Sequence, residues 1–131
     1  MANDDQYRLA EKIWAGIADA DPVALGEILD PKAVWQMPGR SPLAGTYVGE
    51  RAIFDFMALV GELTDELESE LLDIFVSDTG AVMRYSVHAQ RGVEHLDTEH
   101  FFQFRAEHGR ITHARFAPID QYAYDHFFRA Q

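Results

Sequence analysis

The chain has 131 residues, a length that predicts one domain covering residues 1–131. Its 47% hydrophobic and 25% charged residues are typical of a globular protein, and no apolar run is long enough to span a membrane. Eleven Lys and Arg against 22 Asp and Glu give a net charge of −11, which argues against nucleic acid and anionic membranes as partners. With no cysteine there is no disulfide, thiolate nucleophile or Cys-based zinc site. The acidic N-terminus shows no signal-peptide pattern, so we expect a cytoplasmic protein.

The first half of the chain predicts helices. Apolar residues spaced by three and four indicate a helix over 6–20. Asp21 is a suitable N-cap for a second helix, and Pro22 suits its first position. A short strand is expected over 33–37, followed by an irregular loop rich in proline and glycine. A third helix is expected to begin at Thr46 or Gly49.

The second half of the chain predicts an antiparallel meander. Strands are expected over about 67–77, 81–91, 95–106 and 110–119, separated by short turns that contain glycine. A short last helix is expected from Asp120, its N-cap, to Ala130. Three helices followed by such a meander indicate an α+β domain whose helices cover one face of the sheet.

The turn at Gly92-Val93 predicts the register of the central hairpin. A two-residue loop there pairs Arg91 with Glu94, and the pairing then continues to Tyr85 opposite His100. This register separates an apolar face from a polar one. The residues expected on the apolar, inner face are Tyr85, His100, Phe102, Phe104 and Phe116.

The two neighbouring hairpins leave alternatives. At Glu107-His108-Gly109 we prefer a three-residue loop, which places His100 beside Phe116, because a two-residue loop would turn His113 and Arg115 onto the apolar face.

At Asp78-Thr79-Gly80, a two-residue loop turns Leu72, Ile74 and Val76 inward. A three-residue loop turns Asp73 inward instead, opposite Tyr85. We favour the two-residue loop.

Two blocks of sequence resemble a known family. The first comprises Asp21-Pro22, Ala33-Val34-Trp35-Gln36-Met37-Pro38-Gly39 and Gly45-Thr46-Tyr47-Val48-Gly49-Glu50-Arg51-Ala52-Ile53. The second comprises His108-Gly109-Arg110-Ile111 and Asp120-Gln121-Tyr122-Ala123-Tyr124-Asp125. Together they resemble the nuclear-transport-factor-2-like superfamily, in its SnoaL-like polyketide cyclase and ketosteroid-isomerase-like branch. The resemblance implies a cystatin-like cone, in which a curved antiparallel sheet wraps around three N-terminal helices and an apolar pocket. It also implies a homodimer through the outer sheet face.

The resemblance does not carry the isomerase site over intact. Where the isomerases have an Asp base before a proline, this chain has Met37, which cannot take a proton. Their oxyanion-binding tyrosine falls at about Ile13, next to Trp14, and their protonated Asp falls at His100. The resemblance therefore does not predict steroid isomerisation by that mechanism.

His100 is the first candidate for chemistry. On the inner face its imidazole would be poised for proton transfer near neutral pH, and Tyr85 would orient it or donate to an oxyanion. The alternative is a core histidine satisfied by the Tyr85 hydroxyl or a buried water. Asp73 would join this pair only in the three-residue register. The residues expected to wall the pocket and bind a ligand are Trp14, Trp35, Met37, Phe56, Met57, Phe102 and Phe116.

Three functions are open at this point. One is a cofactor-free isomerase, cyclase or lyase-type enzyme that transfers protons on a small hydrophobic carbonyl compound. Another is a binding protein that holds a small hydrophobic ligand without turnover. The third is a partner-interaction domain that uses the sheet as a dimer surface. We expect no metal, because the six histidines share no single face of the predicted sheet, and no cofactor, because the sequence has no phosphate-binding glycine loop.

Overall fold

The computed structural model describes residues 2–129 as an α+β fold with one curved, open sheet. In chain order the elements are α1 (Ala2–Ala18), α2 (Pro22–Ile28), β1 (Leu29–Met37), β2 (Gly45–Val48), α3 (Glu50–Glu62), β3 (Glu66–Val76), β4 (Gly80–Arg91), β5 (Glu94–Glu107), β6 (Arg110–Pro118) and α4 (Gln121–Phe127). The strand order is β2-β1-β6-β5-β4-β3, with only the β1–β6 pair parallel in this part of the chain. The fold class expected from the sequence is confirmed, and the predicted end of the last helix at Ala130 lies outside the described residues.

The junction between α1 and α2 follows the predicted capping. Helix α1 ends at Ala18, slightly before the predicted end, and Ala20 adopts a positive φ of 49°. The Asp21 carboxylate then accepts hydrogen bonds from the backbone N–H groups of Val23 and Ala24, at 3.1 and 3.2 Å. With Pro22 in the first turn, this local chemistry begins α2 where the sequence indicated.

The region between α2 and α3 contains more strand than the sequence predicted. Strand β1 begins at Leu29 rather than near Ala33, and β2 was not predicted. Strand β2 is only four residues long and folds back on β1, pairing Tyr47 with Trp35. A run that short carries too little alternation to be recognised, so its pairing partner decides its structure. Helix α3 then begins at Glu50, after Gly49.

The central hairpin has the predicted register. Arg91 pairs with Glu94, and the ladder continues through Tyr85 opposite His100 to Ala81 opposite Phe104. The alternation of apolar and polar residues on both strands leaves only one register in which the apolar sets share a face. Tyr85 and His100 are therefore on the inner face, where both are buried.

The β5–β6 hairpin corrects the preferred loop. Glu107 pairs with Arg110, so the loop has two residues, and His100 lies opposite Pro118 rather than Phe116. The ladder shifts register between Arg105 and Ala106, where β6 has an extra residue at Thr112. This bulge restores the alternation, so His113 stays exposed on the outer side despite the shorter loop.

The β3–β4 hairpin has the favoured loop and a bulge that was not predicted. The favoured two-residue loop is present, and Ile74 and Val76 lie on the inner side opposite Met83 and Ala81. A register shift between Leu71 and Asp73 then places Leu71 opposite Tyr85 and leaves Leu72 exposed. The prediction of an inward Leu72 was therefore wrong, because a bulge interrupts the alternation of β3.

The helices cover the inner face of the sheet and complete one core. Its fully buried side chains include Ile13 from α1, Leu25 from α2, Ile53 from α3 and Trp35 from β1. Helix α4 adds Tyr124 and Phe127, and Phe128 follows directly after the helix. None of the helices in residues 2–129 combines the length and the apolar character that crossing a membrane requires.

Candidate ligand-binding site

A cavity of about 1030 Å³ lies between the inner face of the sheet and the helices. Its lining is mostly aromatic and aliphatic. Nine of the ten side chains proposed from the sequence line it, namely Trp14, Trp35, Met37, Phe56, Met57, Tyr85, His100, Phe102 and Phe116. Because these residues come from α1, α3 and four of the strands, only the folded chain brings them together.

Aromatic side chains pack edge-to-face along one wall of the cavity. The Trp35 ring lies 5.3 Å from Phe102 and 5.6 Å from Phe116, and Phe116 lies 4.9 Å from Phe102. Each such pair contributes about 0.5–1.5 kcal/mol beyond the burial of its surface. Packing of this kind holds the rings in place, so the wall is preformed before any ligand arrives.

His100 is a polar group in this apolar wall. It is only 4% exposed, and its ring lies between those of Tyr85 and Tyr124, at centroid distances of 5.6 and 5.3 Å. Within the described residues, its buried Nε2 atom has no hydrogen-bond partner. Leaving such a group unsatisfied costs about 1–3 kcal/mol, which a ligand that bonds to Nε2 would recover.

Burial also decides the charge of His100. It lowers the pKa of His100 to about 4, because no solvent stabilises the imidazolium. The imidazole is therefore neutral at pH 7 and carries one N–H donor and one lone pair. The prediction that His100 is poised for proton transfer near neutral pH was wrong. The sequence alone does not show that the imidazole is buried with no carboxylate beside it.

Two tyrosines flank His100 and remain protonated. Burial raises the pKa of both Tyr85 and Tyr124, so their phenol groups stay available as hydrogen-bond donors. Tyr124 was not among the proposed site residues, because α4 was interpreted only from its cap. Its spacing of four residues from Phe128 is the signal that could have revealed an inward face, and the two rings lie 4.8 Å apart.

Asp73 does not belong to the cavity. It lies opposite Arg84 on the outer face, where Arg84 Nη2 and Nε are 2.6 and 2.8 Å from its Oδ2 atom. Arg84 also reaches Glu99 at 2.7 Å, and these partners raise the pKa of the guanidinium. The hypothesis that Asp73 completes a Tyr85–His100 row is therefore wrong. An inward carboxylate would be buried without a cation, whereas the outward one is paired.

Helix α4 is fixed at both ends, and this positions Tyr124. Asp120 caps its N-terminus by accepting from the Ala123 N–H at 3.0 Å. At the other end, Arg91 Nη1 donates to the carbonyl oxygens of Phe127 and Arg129, at 3.0 and 2.9 Å. The arginine thereby occupies carbonyl groups that the end of a helix leaves free.

A second buried group, the indole N–H of Trp35, also lacks a hydrogen-bond partner within the described residues. Trp35 is fully buried, and its Nε1 atom has no hydrogen-bond partner in residues 2–129. A metal does not explain either group, since no three potential ligands in those residues are close enough to hold an ion. Two residues of the apolar lining, Trp35 and His100, therefore each carry a buried polar atom that has no hydrogen-bond partner in residues 2–129.

Comparison with known proteins identifies the family. A model of the SnoaL-like domain matches residues 10–114, which is most of the chain. The chain belongs to the SnoaL-like domain family. The resemblance seen in the sequence, to the SnoaL-like and ketosteroid-isomerase-like branch of the nuclear-transport-factor-2-like proteins, is confirmed. No curated protein matches the sequence significantly.

Solved structures of this SnoaL-like fold superpose over almost the whole chain. Bal32a, from a soil-derived mobile gene cassette, is 30% identical, with a TM-score of 0.92 and coverage of 98% of this chain and 100% of its own. An NTF2-like protein from Burkholderia xenovorans LB400 is 15% identical, with a TM-score of 0.84 and coverages of 97% and 98%. A candidate SnoaL-like polyketide cyclase from Jannaschia sp. CCS1 is 13% identical, with a TM-score of 0.82 and coverages of 98% and 94%. At these identities the last two show the fold alone.

Proposed function

We propose that this SnoaL-like protein binds a small, flat, mostly apolar molecule that carries a hydroxyl or carbonyl oxygen. The observation that carries the proposal is the buried, unpartnered Nε2 atom of His100 in the wall of an apolar cavity. A purely apolar ligand would leave this atom unsatisfied, whereas an oxygen at the same place would bond to it.

The shape of the lining supports a flat ligand. The cavity volume of about 1030 Å³ suits a drug-sized molecule. Trp35, Phe102 and Phe116 present rings to it, and aromatic faces and edges pack well against other rings. Polycyclic aromatic alcohols and ketones therefore match both the wall and its polar group.

The test uses an uncharged dye and two competitors. N-phenylnaphthylamine, whose fluorescence rises in apolar surroundings, should bind with one-to-one stoichiometry. Its binding should also quench the two tryptophans of the chain, Trp14 and Trp35, because both line the cavity. Naphthol and methylnaphthalene have nearly the same size, and both should displace the dye. Failure of the dye and of both competitors to bind would overturn the proposal.

A variant separates the polar contact from the apolar ones. We expect His100→Leu to weaken naphthol by roughly three- to tenfold, the worth of one hydrogen bond, and to leave methylnaphthalene nearly unchanged. His95→Gln is the matched control, since His95 is exposed and lies outside the lining. Equal effects of His100→Leu on the two competitors would show that His100 does not contact the oxygen.

A second candidate function is proton transfer on the bound molecule, of the isomerase, cyclase or lyase type. It is favoured by one observation, namely that the neutral imidazole of His100 lies between two protonated tyrosines. The imidazole could accept a proton while a phenol hydrogen-bonds to the developing oxyanion. With a pKa of about 4, His100 is a weak base, so the substrate would need an acidic proton, such as one beside two carbonyl groups.

The catalytic candidate makes a separate prediction. His100→Ala should reduce turnover of such a carbonyl compound by about 10²- to 10⁴-fold, while the affinity for the apolar dye changes far less. Turnover and dye affinity are measured on the same preparation, with His95→Gln as the control. Unchanged turnover in His100→Ala would exclude the histidine as the base and would leave ligand binding as the function.

A further inference from the structure

The exposed part of the cavity lining lies where two helices end and β3 begins. It includes Ala18 at the end of α1, Ala58 and Gly61 near the end of α3, and Leu67 and Ser69 at the start of β3. Gly61 and Leu67 are close along the chain, since only a short turn separates α3 from β3. Solvent therefore reaches the cavity through a gap between α1, α3 and the first half of β3, which we call the mouth.

Helix α1 ends before it could cover the first half of β3. Near its start, Gln6 Nε2 donates to the carbonyl oxygen of Asp78 at 3.3 Å, in the turn that follows β3. Further along, the Trp14 ring lies 5.2 Å from that of Tyr85 on β4. The helix thus runs along the sheet from the last residues of β3 toward its first ones, and it stops at Ala18, about one turn after Trp14. The first residues of β3 therefore lie beyond the end of α1.

Ser69 lies on the inner side of the sheet at this mouth. It pairs with Val87, and Leu67 pairs with Ala89, so alternation turns all four side chains to the face that carries Tyr85. Val87 and Ala89 are buried, whereas Ser69 and Leu67 are exposed. The small Ser69 side chain therefore leaves the mouth open and presents its hydroxyl group there.

His100 lies at the opposite, closed side of the cavity. It is buried, and the ring of Tyr124 on α4 packs against it at 5.3 Å. Along the sheet, Ser69 is two strands and two residues away from His100, because its partner Val87 follows Tyr85 by two positions. The spacing of strands and the rise per residue place the two backbones roughly 10–12 Å apart. A polycyclic ligand whose oxygen meets His100 thus reaches the mouth with its other end.

We propose that the ligand enters beside Ser69, between α3 and the first half of β3, and that the end opposite its His100-bound oxygen stays in this mouth, in contact with solvent. The inference rests on the proposed function, because it concerns the orientation of the same ligand. It narrows the ligand class to elongated molecules with a buried oxygen at one end and a polar or bulky substituent at the other. Ser69 is a specificity-determining residue, because its size sets the width of the mouth and its hydroxyl group can bond to that substituent.

A pair of isomers tests the orientation. Both are naphthols that carry a methoxy-terminated polyethylene glycol chain, which is too long for the cavity to enclose. In the far-end isomer the chain is on the ring carbon farthest from the hydroxyl group, and in the near-end isomer it is beside the hydroxyl group. We expect the far-end isomer to displace N-phenylnaphthylamine nearly as well as naphthol does. The near-end isomer should bind about three- to tenfold more weakly, because its chain can leave by the mouth only if its hydroxyl group gives up the bond to His100.

The outcomes separate the inference from the proposed function. If naphthol displaces the dye but the far-end isomer binds no better than the near-end isomer, the orientation is wrong and the proposed function stands. If neither the dye nor naphthol binds, the proposed function fails, and the inference fails with it. In His100→Leu the two isomers should bind equally, since neither has a bond to lose. A difference that persists in this variant would overturn the inference.

A second experiment narrows the mouth itself. Ser69→Trp should slow the association of the dye by about fivefold or more and weaken the far-end isomer more than naphthol, because the indole fills the gap. Glu68→Trp is the matched control, since it adds the same side chain one residue earlier, where alternation turns it to the outer face opposite His88. Stopped-flow fluorescence measures the rates, and circular dichroism checks that both variants are folded. Equal association rates in the two variants would overturn the role of Ser69.

Discussion

At the residue scale, His100 shows how burial determines chemistry. The imidazole is packed between Tyr85 and Tyr124, and no carboxylate compensates the loss of solvent. Its neutral form is therefore favoured, as in sites where a polar group is kept uncharged in order to hydrogen-bond. The same residue type on the surface, such as His95, remains in contact with solvent.

The lowered pKa of His100 predicts how stability depends on pH. The pKa is about 4 in the folded state against 6.5 in the unfolded chain, so the unfolded state binds more protons between these values. The contribution of His100 is fully present above the unfolded pKa and is lost as the pH falls toward the folded pKa. Urea unfolding should show a loss of about 3 kcal/mol from this residue between pH 7 and pH 4.

The control for this prediction is a pair of non-titrating variants. His100→Gln should be less stable at pH 7 and should lack this part of the pH dependence, whereas His95→Gln should keep it. If the free energy of unfolding of the wild-type protein and of the His100→Gln variant changed with pH in parallel, the predicted contribution of His100 would be contradicted.

At the element scale, α4 forms part of the cavity wall and is held by hydrogen bonds both to the loop after β1 and to Arg91. Asp125 accepts from the Arg40 N–H at 3.0 Å, and Gln121 donates to the carbonyl oxygen of Pro38 at 3.2 Å. Gly39 lies between these residues with φ +101°, and a Cβ atom there would collide with the side chains of Gln121 and Asp125. The close approach of the loop to the helix therefore requires glycine at this position.

The anchoring of α4 predicts the effect of Arg91→Ala. This change removes the donor to two carbonyl oxygens at the end of the helix, so the free energy of unfolding should fall by about 1.5–3 kcal/mol. Amide hydrogen exchange should accelerate in α4, and dye affinity should fall because Tyr124 and Phe128 line the cavity. Arg51→Ala is the control, since Arg51 is exposed and its contact with Asp55 is 4.0 Å long. Unchanged exchange in α4 would contradict this role of Arg91.

At the scale of the whole molecule, the outer face of the sheet remains open for association. Phe75, which is 56% exposed, lies there with the partly buried Val82 and Phe101, next to the ion pairs of Arg84. We propose that this face forms the homodimer that the family resemblance implies. A self-complementary patch with apolar groups and paired charges is suited to a two-fold contact.

The dimer predicts a defined response to mutation and to salt. Light scattering at high micromolar concentration should give twice the mass of the chain, and Phe101→Glu should give the monomer. Val93→Glu is the control, because Val93 is 92% exposed in a loop. Added salt should stabilise the dimer modestly, since two chains of charge −11 repel each other and ions screen the repulsion. A monomeric wild-type protein would exclude the dimer.

The sequence by itself determined the features that depend on local pattern. Strict alternation in β4 and β5 specifies the pairing of Tyr85 with His100, because a shift by one residue would bury the polar face. Asp21 and Asp120 cap helices where they were expected, since a cap needs only its own side chain and the next three residues. The apolar spacing in α1 and α3 likewise indicated which residues would wall the cavity.

Only the tertiary structure decided where the alternation is interrupted. Thr112 and Leu72 lie at bulges that no local residue signals. The position of a bulge depends on the pairing with the neighbouring strand, which here leaves charged side chains on the outer face. In β3 the bulge turns Leu71 rather than Leu72 toward Tyr85, whereas Asp73 already lies opposite Arg84 in the register of the two-residue loop. The charge of His100 and the inward position of Tyr124 also depend on elements far apart in the chain, because desolvation is a property of everything packed around a group.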